Sequence, residues 1–421
     1  MLTAVVGINW GDEGKGRMVD LLSADYDIVC RYQGGNNAGH TVINDHGKIV
    51  LNLLPSGISR EGTVNVMGNG MVIDLEHLVH EIQSLREKGI HIGPDNLKIS
   101  DKAVICLPWH KMQDIMEEDR LKDKKFGSTR RGIGPVYADK YMKKAIRMGD
   151  LFAPDKLPEK VADLTEWKNL TVRGYGHEPV KAEDILAWLH EFGDPIKPYI
   201  TDVSDYLYDA ATAGENIMFE AQLGALRDID FGIYPYTSSS CTLAGYATIG
   251  AGIPGLKLDK TIGIMKAYSS CVGEGPFTVE MFGDEAEALR RAGGEYGAAT
   301  GRPRRVGAFD IPASRYGVRM HGADCIALTK MDVLSYMDKI PVCVAYDING
   351  EITEKFPVGE RLNAAKPVFE YMEGFGDISG CRKPEDLPKA AMDYIRYLEA
   401  AVGCKIKYVS VGAGRDEYVE L

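Results

Sequence analysis

Asp12, Glu13 and Lys15 stand within one glycine-rich run, residues 7–17, G-I-N-W-G-D-E-G-K-G-R. An apolar run, 2–6, precedes it and a helix-like run, 18–22, follows. A strand that empties into such a turn and then a helix aims several backbone N–H groups and a helix N-terminus at one point. That arrangement suits a phosphate, and Lys15 adds a mobile positive charge. The run departs from the usual phosphate loop, because the spacing from Gly7 to Gly14 is longer and Gly16 stands where Ser or Thr would hold magnesium. Asp12 and Glu13 are expected to face this anion site, which is tolerated only if a metal or a chemical task requires it.

A second glycine-rich run, 31–41, reads R-Y-Q-G-G-N-N-A-G-H-T. Gly34, Gly35 and Gly39 let the backbone wrap closely round a ligand, and Asn36, Asn37 and His40 supply hydrogen-bonding groups. A lone histidine is more often structural, but one in a second loop at the same sheet edge favours function for His40. Residues 297–307, G-A-A-T-G-R-P-R-R-V-G, gather three arginines. Their forks suit carboxylate or phosphate; a plain surface loop is the alternative. Arg130, Arg131, Lys140, Lys143, Lys144 and Arg147 make 126–147 the most basic segment, read either as a solvated face or as an anion-binding loop. Residues 325–332 form a strand ending T-K-x-D, similar to the N-K-x-D element whose aspartate accepts hydrogen bonds from guanine while the lysine packs along the base. Residues 408–412 lead into G-A-G-R, a turn that could close over the same base. His77 and His80 have metal-ligand spacing without further ligands nearby, so they read as solvated helix residues.

Apolar strands are expected at 4–8, 28–32, 64–67, 216–220, 260–266, 325–329 and 339–346, alternating with helical stretches. That pattern predicts an α/β protein with a large, mostly parallel sheet flanked by helices. Asp74 is placed to cap a helix over 74–88, and 151–202 reads as helices broken by prolines. Residues 218–245 leave a strand for a long loop whose apolar content argues against disorder. With 421 residues, 45% hydrophobic, the chain can bury a substantial core, and length alone suggests roughly two or three domains. A net charge of −12 argues against a general nucleic-acid or membrane surface. The eight scattered cysteines and the apparent lack of a signal or membrane span point to free thiols and a cytoplasmic protein.

Taken together, these stretches resemble the adenylosuccinate synthetase family, from Val5 to about Ser410. W-G-D-E-G-K-G, R-Y-Q-G-G-x-N-A-G-H-T, R-G-I-G-P, D-I-D-x-G-x-Y-P-Y, K-A-Y-S, T-G-R and T-K-x-D occur in the family's order. The resemblance implies one P-loop-NTPase-like domain over 1–421 with a mainly helical insertion around 74–215, and a homodimer. It implies a ligase of AMP biosynthesis that joins IMP and L-aspartate using GTP and Mg2+ through a 6-phosphoryl-IMP intermediate. By motif, Asp12 would be the base and a metal ligand, Gly39 a backbone metal ligand, His40 the acid, and Lys15 the stabiliser of the moving phosphoryl group.

The same carry-over assigns GTP to the first loop, Gly11, Asp12, Glu13, Gly14, Lys15, Gly16 and Arg17, and to Gly39, His40 and Thr41. Arg304 would join these at the phosphates, with Lys330, Met331, Asp332, Ser410, Val411 and Gly412 at guanine. IMP would meet Asn37, Ala38, Thr129, Gln222, Leu223, Ser238 and Arg302, with Lys143 crossing from the other subunit. Aspartate would lie on Ala298, Ala299, Thr300, Gly301, Arg302 and Arg304. The chain departs from the family's pattern at Arg17, Lys143, Leu223, Ser238, Cys241, Cys271, Ala299 and Pro303. In strict register Leu223 replaces the glutamine that contacts the base, leaving Gln222 one position earlier, and Cys271 replaces an arginine. The changes cluster round IMP and aspartate. A paralogue acting on another purine nucleotide or amine donor therefore stands as one alternative, and a non-catalytic GTP-binding regulator as another.

Overall fold

The computed structural model describes residues 1–37, 39–44, 47–124, 126–297, 301 and 303–421. Ten strands make the central sheet. They are β1 (Leu2–Gly7), β2 (Ile28–Arg31), β3 (Val64–Met67), β4 (Leu97–Ser100), β5 (Ile200–Thr201), β6 (Ile217–Glu220), β7 (Lys260–Lys266), β8 (Cys325–Thr329), β9 (Ile406–Ser410) and β10 (Tyr418–Glu420). Across the sheet the order is β10-β9-β8-β7-β1-β6-β2-β3-β4-β5. All pairings are parallel except β9 with β10. Strands β1, β2, β6 and β8 are buried along their whole length, as their near-continuous apolar sequences require when helices cover both faces. The order runs away from β1 in both directions, so a crevice opens at the C-terminal ends beside β1, where ligands bind in such sheets.

The strand expected at 339–346 does not join this sheet. Lys339–Ile348 is the centre of a separate four-stranded sheet, parallel to Phe309–Asp310 and antiparallel to Glu351–Thr353 and Ala365–Glu373. The cause is a local signal, since Asn349 and Gly350 both take positive φ, 55° and 90°, and turn the chain straight back. Asn-Gly is the residue pair that a two-residue hairpin turn favours, and a hairpin makes its strands antiparallel.

Between β3 and β6 the chain is mostly helical, and Leu78, Trp109, Leu164 and Leu189 share an apolar core with Val42, Ile49 and Leu51 from before β3. Asp74 caps the helix Leu75–Glu87, accepting from the His77 amide at 3.3 Å. His80 is exposed, whereas His77 is half-buried with Nε2 at 3.1 Å from Asn52 Oδ1, a packing role that helical spacing does not reveal. Pro158 lies in the first turn of the helix Leu157–Gly174, and Pro195 and Pro198 shape the tight turn Asp194–Tyr199. Proline fits those places because each dispenses with a donor that a helix interior would need. Among the described residues no helix is long and apolar enough to cross a membrane.

Candidate active site

The site is assembled where β1, β2, β6, β7, β8 and β9 end. Gly7 closes β1, and it must lack a side chain: a Cβ there would stand 2.3 Å from the Leu223 carbonyl oxygen, 2.5 Å from Glu13 Oε2 and 2.7 Å from Lys15 Nζ. Glu13 does not face the anion site. It is buried and turned inward, accepting from the amides of Asn9 at 3.1 Å and Gly11 at 2.8 Å and from Lys15 Nζ at 2.6 Å. Lys15 opens the helix Lys15–Leu22 with Gly14 as its left-handed N-cap, and Gly16 lies in its first turn. Asp12 is a quarter exposed, at φ 60°. Its Oδ2 is 3.2 Å from Arg304 Nε, close enough to attract but without the alignment of a hydrogen bond. Gly11, at φ 99°, carries the turn into it, against Leu223.

His40 reaches this loop from the strand His40–Asn44, its Cβ packed on Gly16. Its Nδ1 makes a short bond to Glu220, the last residue of β6, which also accepts from the Ser56 amide at 2.8 Å and the Ser56 hydroxyl at 2.5 Å. Burial pushes the imidazole below its ordinary pKa against the pull of Glu220. Burial would raise the Glu220 carboxyl, but His40, Arg31 and Ser56 together hold it low. The unliganded pair is therefore a neutral imidazole donating from Nδ1 to a carboxylate, with Nε2 left for a ligand. Glu220 escaped the sequence reading. The signal was there, as a charged residue closing an otherwise apolar strand.

On the nucleotide side the loop after β6 takes a definite position. Gln222 is fully buried and spends its amide on Gly35, donating to that carbonyl at 2.7 Å and accepting from its N–H at 3.2 Å. Leu223, at φ 63°, is the partly exposed neighbour that packs over Gly11. Asn37 accepts from Gly35 N at 3.3 Å, and Ser238 is bonded through its amide to the Arg227 carbonyl. The guanidinium of Arg227 lies against Cys271, Nη2 to Sγ 2.9 Å, so an arginine stands beside the position where the family's own is missing. Thr129 and Lys143 are exposed on the basic segment, and Gly39 and Gly301 are exposed in their loops. Thr41 is half-buried. Ala38, Ala298, Ala299, Thr300 and Arg302 lie outside the described residues.

After β8, Lys330 takes φ 56° and Met331 is buried. Asp332 has a buried Oδ1 with no hydrogen-bond partner. Burial raises the pKa of its carboxyl against Lys330 and Arg17. Such an orphaned acceptor asks for a donor, and the N–H groups of a guanine edge would suit it. Arg17 binds Ser410 and the carbonyls of Gly414, at 2.6 Å, and Glu417, at 3.0 Å, fixing the turn after β9 that carries Val411 and Gly412. Thr329 ties this element to the first loop, its hydroxyl donating to the Glu13 carbonyl at 2.6 Å. A second carboxylate that sequence reasoning missed is Glu295, fully buried among Lys266, Arg304 and Lys330. It stands just before the 297–307 run, and the partners that give it a role, Lys266 and Lys330, come from other strands' ends.

Among the described residues no group of three or more potential ligands could hold a metal by itself. One carboxylate and one backbone carbonyl, as Asp12 and Gly39 could supply, suit magnesium whose remaining ligands are phosphate oxygens and water. The fit is one of chemistry.

The family profile described as adenylosuccinate synthetase matches residues 4–419. The chain is 44% identical over 423 residues to the adenylosuccinate synthetase of Caldanaerobacter subterraneus subsp. tengcongensis, covering all of this chain and 99% of the relative. The structure of fully ligated adenylosuccinate synthetase from Plasmodium falciparum superposes with a TM-score of 0.92 at 36% identity, covering 100% of this chain and 99% of that one. A cyanophage S-2L succinoaminodeoxyadenylate synthetase, bound to dGMP and dATP, shares the fold with a TM-score of 0.62 at 18% identity, covering 100% of this chain and 95% of that one.

Proposed function

The chain belongs to the adenylosuccinate synthetase family, and on that premise we propose that it joins IMP and L-aspartate, with GTP as phosphoryl donor, to give adenylosuccinate, GDP and phosphate. The observation that carries the reading is the pairing of His40 with the buried Glu220 beside the Asp12 loop, because a pure nucleotide binder has no use for an oriented imidazole next to a carboxylate. Asp12, once free of Arg304, accepts the N1 proton of IMP. The oxygen on C6 then attacks the γ-phosphorus, the bond from that phosphorus to the bridging oxygen breaks, and GDP leaves. His40 Nε2 faces the transferred phosphoryl group, and Glu220 favours the imidazolium as negative charge arrives. Lys15 has three donors and Glu13 uses one, so it can neutralise phosphate oxygens without moving. The amine of aspartate next attacks C6, the bond from C6 to the phosphorylated oxygen breaks, and the departing phosphate takes the proton that the amine gives up. Mg2+, held by Asp12 and the Gly39 carbonyl, would supply charge neutralisation on the phosphates.

The orphaned oxygen of Asp332 supports guanine as the base of the donor. Arg302 and Arg304 are assigned to the aspartate carboxylates. Exposed Tyr141 and Met142 beside Lys143 support a homodimer in which Lys143 reaches the partner's IMP. All eight cysteines are unpaired, which supports placement in a reducing compartment such as the cytoplasm. A second reading rests on Leu223: with Gln222 spent on Gly35, an apolar group faces the nucleotide, which favours a purine edge other than that of IMP. Phosphate release measured with GTP and magnesium, varying the purine nucleotide and the amino acid separately, decides between them. Turnover requiring IMP and aspartate supports the first reading, and turnover with another pair alone overturns it. GTP binding that persists in Asp12→Asn, with no product from the wild type, would identify a regulator.

A further inference from the structure

Glu295 gathers three cations from three parts of the chain. Lys266 Nζ donates to it at 2.7 Å, Arg304 Nη1 at 3.0 Å and the Tyr268 hydroxyl at 2.5 Å, while Lys330 Nζ stands 3.4 Å away. Burial works against its charge, but Lys266, Lys330 and Arg304 overcome this and hold the carboxyl far below the usual range. One cation would neutralise a buried carboxylate. Three must share it, and two of them also lean elsewhere: Arg304 on Asp12 Oδ2 at 3.2 Å, and Lys330 on the Gly293 carbonyl. Lys266 is buried and also donates to Ser270, so it is the fixed member. Arg304 holds Oε2 and Lys330 stands on Oε1, so these two trade through the charge of the one buried carboxylate and not through one oxygen.

We propose that Glu295 is a positioning residue that couples the guanine element to the chemical centre. A base that engages Lys330 draws it from Glu295. The carboxylate then holds Arg304 more firmly, and Asp12 is released for its proton. The inference rests on the reading of Lys330 and Asp332 as a guanine site. It goes beyond that reading in making nucleotide recognition a condition for freeing Asp12. By linkage the coupling runs both ways, so removing Arg304 leaves Glu295 to grip Lys330 and weakens nucleotide binding.

The test is a double-mutant cycle on GDP affinity, measured by titration calorimetry on the full chain with no chemistry taking place. Arg304→Met should weaken GDP binding about fivefold or more in the wild-type background and leave it unchanged in Glu295→Gln. A direct contact between Arg304 and the phosphates would instead weaken binding equally in both backgrounds, and additivity of that kind overturns the coupling. A merely structural Glu295 would lower the melting temperature and leave the cycle additive. If Glu295→Gln does not fold, Glu295→Gln with Lys266→Met restores the balance of charge and carries the same cycle. GDP binding that stays intact in an additive cycle defeats the coupling alone. No GDP binding by the wild type defeats the guanine reading and the coupling with it.

Discussion

Glu220→Gln changes the buried acid that His40 touches while keeping its size. With its oxygen in the place of Oε2 the glutamine can still accept from Ser56 N at 2.8 Å, while Ser56 Oγ and His40 Nδ1 share the other position, Oε1. Facing Nδ1, however, it presents an NH2 group that only donates. His40 must then turn Nδ1 into an acceptor and carry its proton on Nε2, and no carboxylate remains to favour the imidazolium. A hydrogen bond to a charged group contributes about 1.5–3 kcal/mol. The pair is buried, so solvent does not screen it. Converted at about 1.4 kcal/mol per tenfold, the loss is roughly 10- to 150-fold in kcat.

Initial rates of phosphate release at saturating GTP, IMP and aspartate measure this, with thermal unfolding to show that the variant is folded. KM values should stay within about threefold, since the proposed role of His40 is on charge that develops in the transition state. Ser56→Ala, which removes one donor to Glu220 and leaves the backbone amide, should give a smaller loss on the order of 1 kcal/mol. In a His40→Asn background Glu220→Gln should cost nothing more, because the two act as a unit. A kcat for Glu220→Gln within about threefold of the wild type would refute the reasoning. So would an equal cost in both backgrounds.

Asp332→Asn exchanges the buried acceptor for a group that also donates, so the KM for GTP should rise by roughly 10²-fold or more and xanthosine triphosphate should become the better donor; an unchanged KM for GTP would remove guanine from that site. Leu223→Gln should shift the ratio of kcat/KM between IMP and other purine nucleotides by about tenfold, and an unchanged ratio in competing-substrate assays would mean that Leu223 does not face the base. Burial, opposed by the Gly7 carbonyl and assisted by Lys15, pushes His321 down to about 4. Its unfolded value is near 6.5, so the unfolded chain binds the extra proton between these limits. Stability is unaffected above pH 6.5 and falls as pH drops, by about 3 kcal/mol in full below about pH 4. Denaturant unfolding across pH 7 to 4 should show this slope, and His321→Gln should flatten it.

Periodicity made the sheet legible, because β1, β2, β6 and β8 are buried on both faces and read as near-continuous apolar runs. The second sheet was missed although Asn349-Gly350 announced it; apolar content outweighed the turn that reverses Lys339–Ile348. Within the site, residues on glycine-rich loops stood out by local spacing. Glu220, Glu295 and Lys266 did not, since what makes them matter is a partner 180 residues away in the first case and 29 in the second pair. The loop after β6 was undecidable for a different reason. Gln222 and Leu223 are neighbours, and only the close approach of Gly34 shows which turns inward: a Cβ there would stand 1.7 Å from Gln222 Oε1.

The two acids of the first loop look alike in sequence, yet the backbone separates their roles. Glu13 accepts from two amides of its own loop and from Lys15, so moving it would strand three donors in a buried place. It is a fixed counter-ion, and it lets a lysine be stored beside a phosphate cradle without an anion present. Asp12 is paired with Arg304, a residue from a distant loop, through an ion pair that lacks hydrogen-bond alignment. Such a partner can be withdrawn. A carboxylate in the role proposed for Asp12, taking a proton and meeting a cation, has to become available when substrates arrive and stay masked before then. Glu13 cannot meet that requirement without dismantling the turn; Asp12 can, and Glu295, which already holds Arg304 Nη1 at 3.0 Å, keeps that side chain anchored when it leaves Asp12.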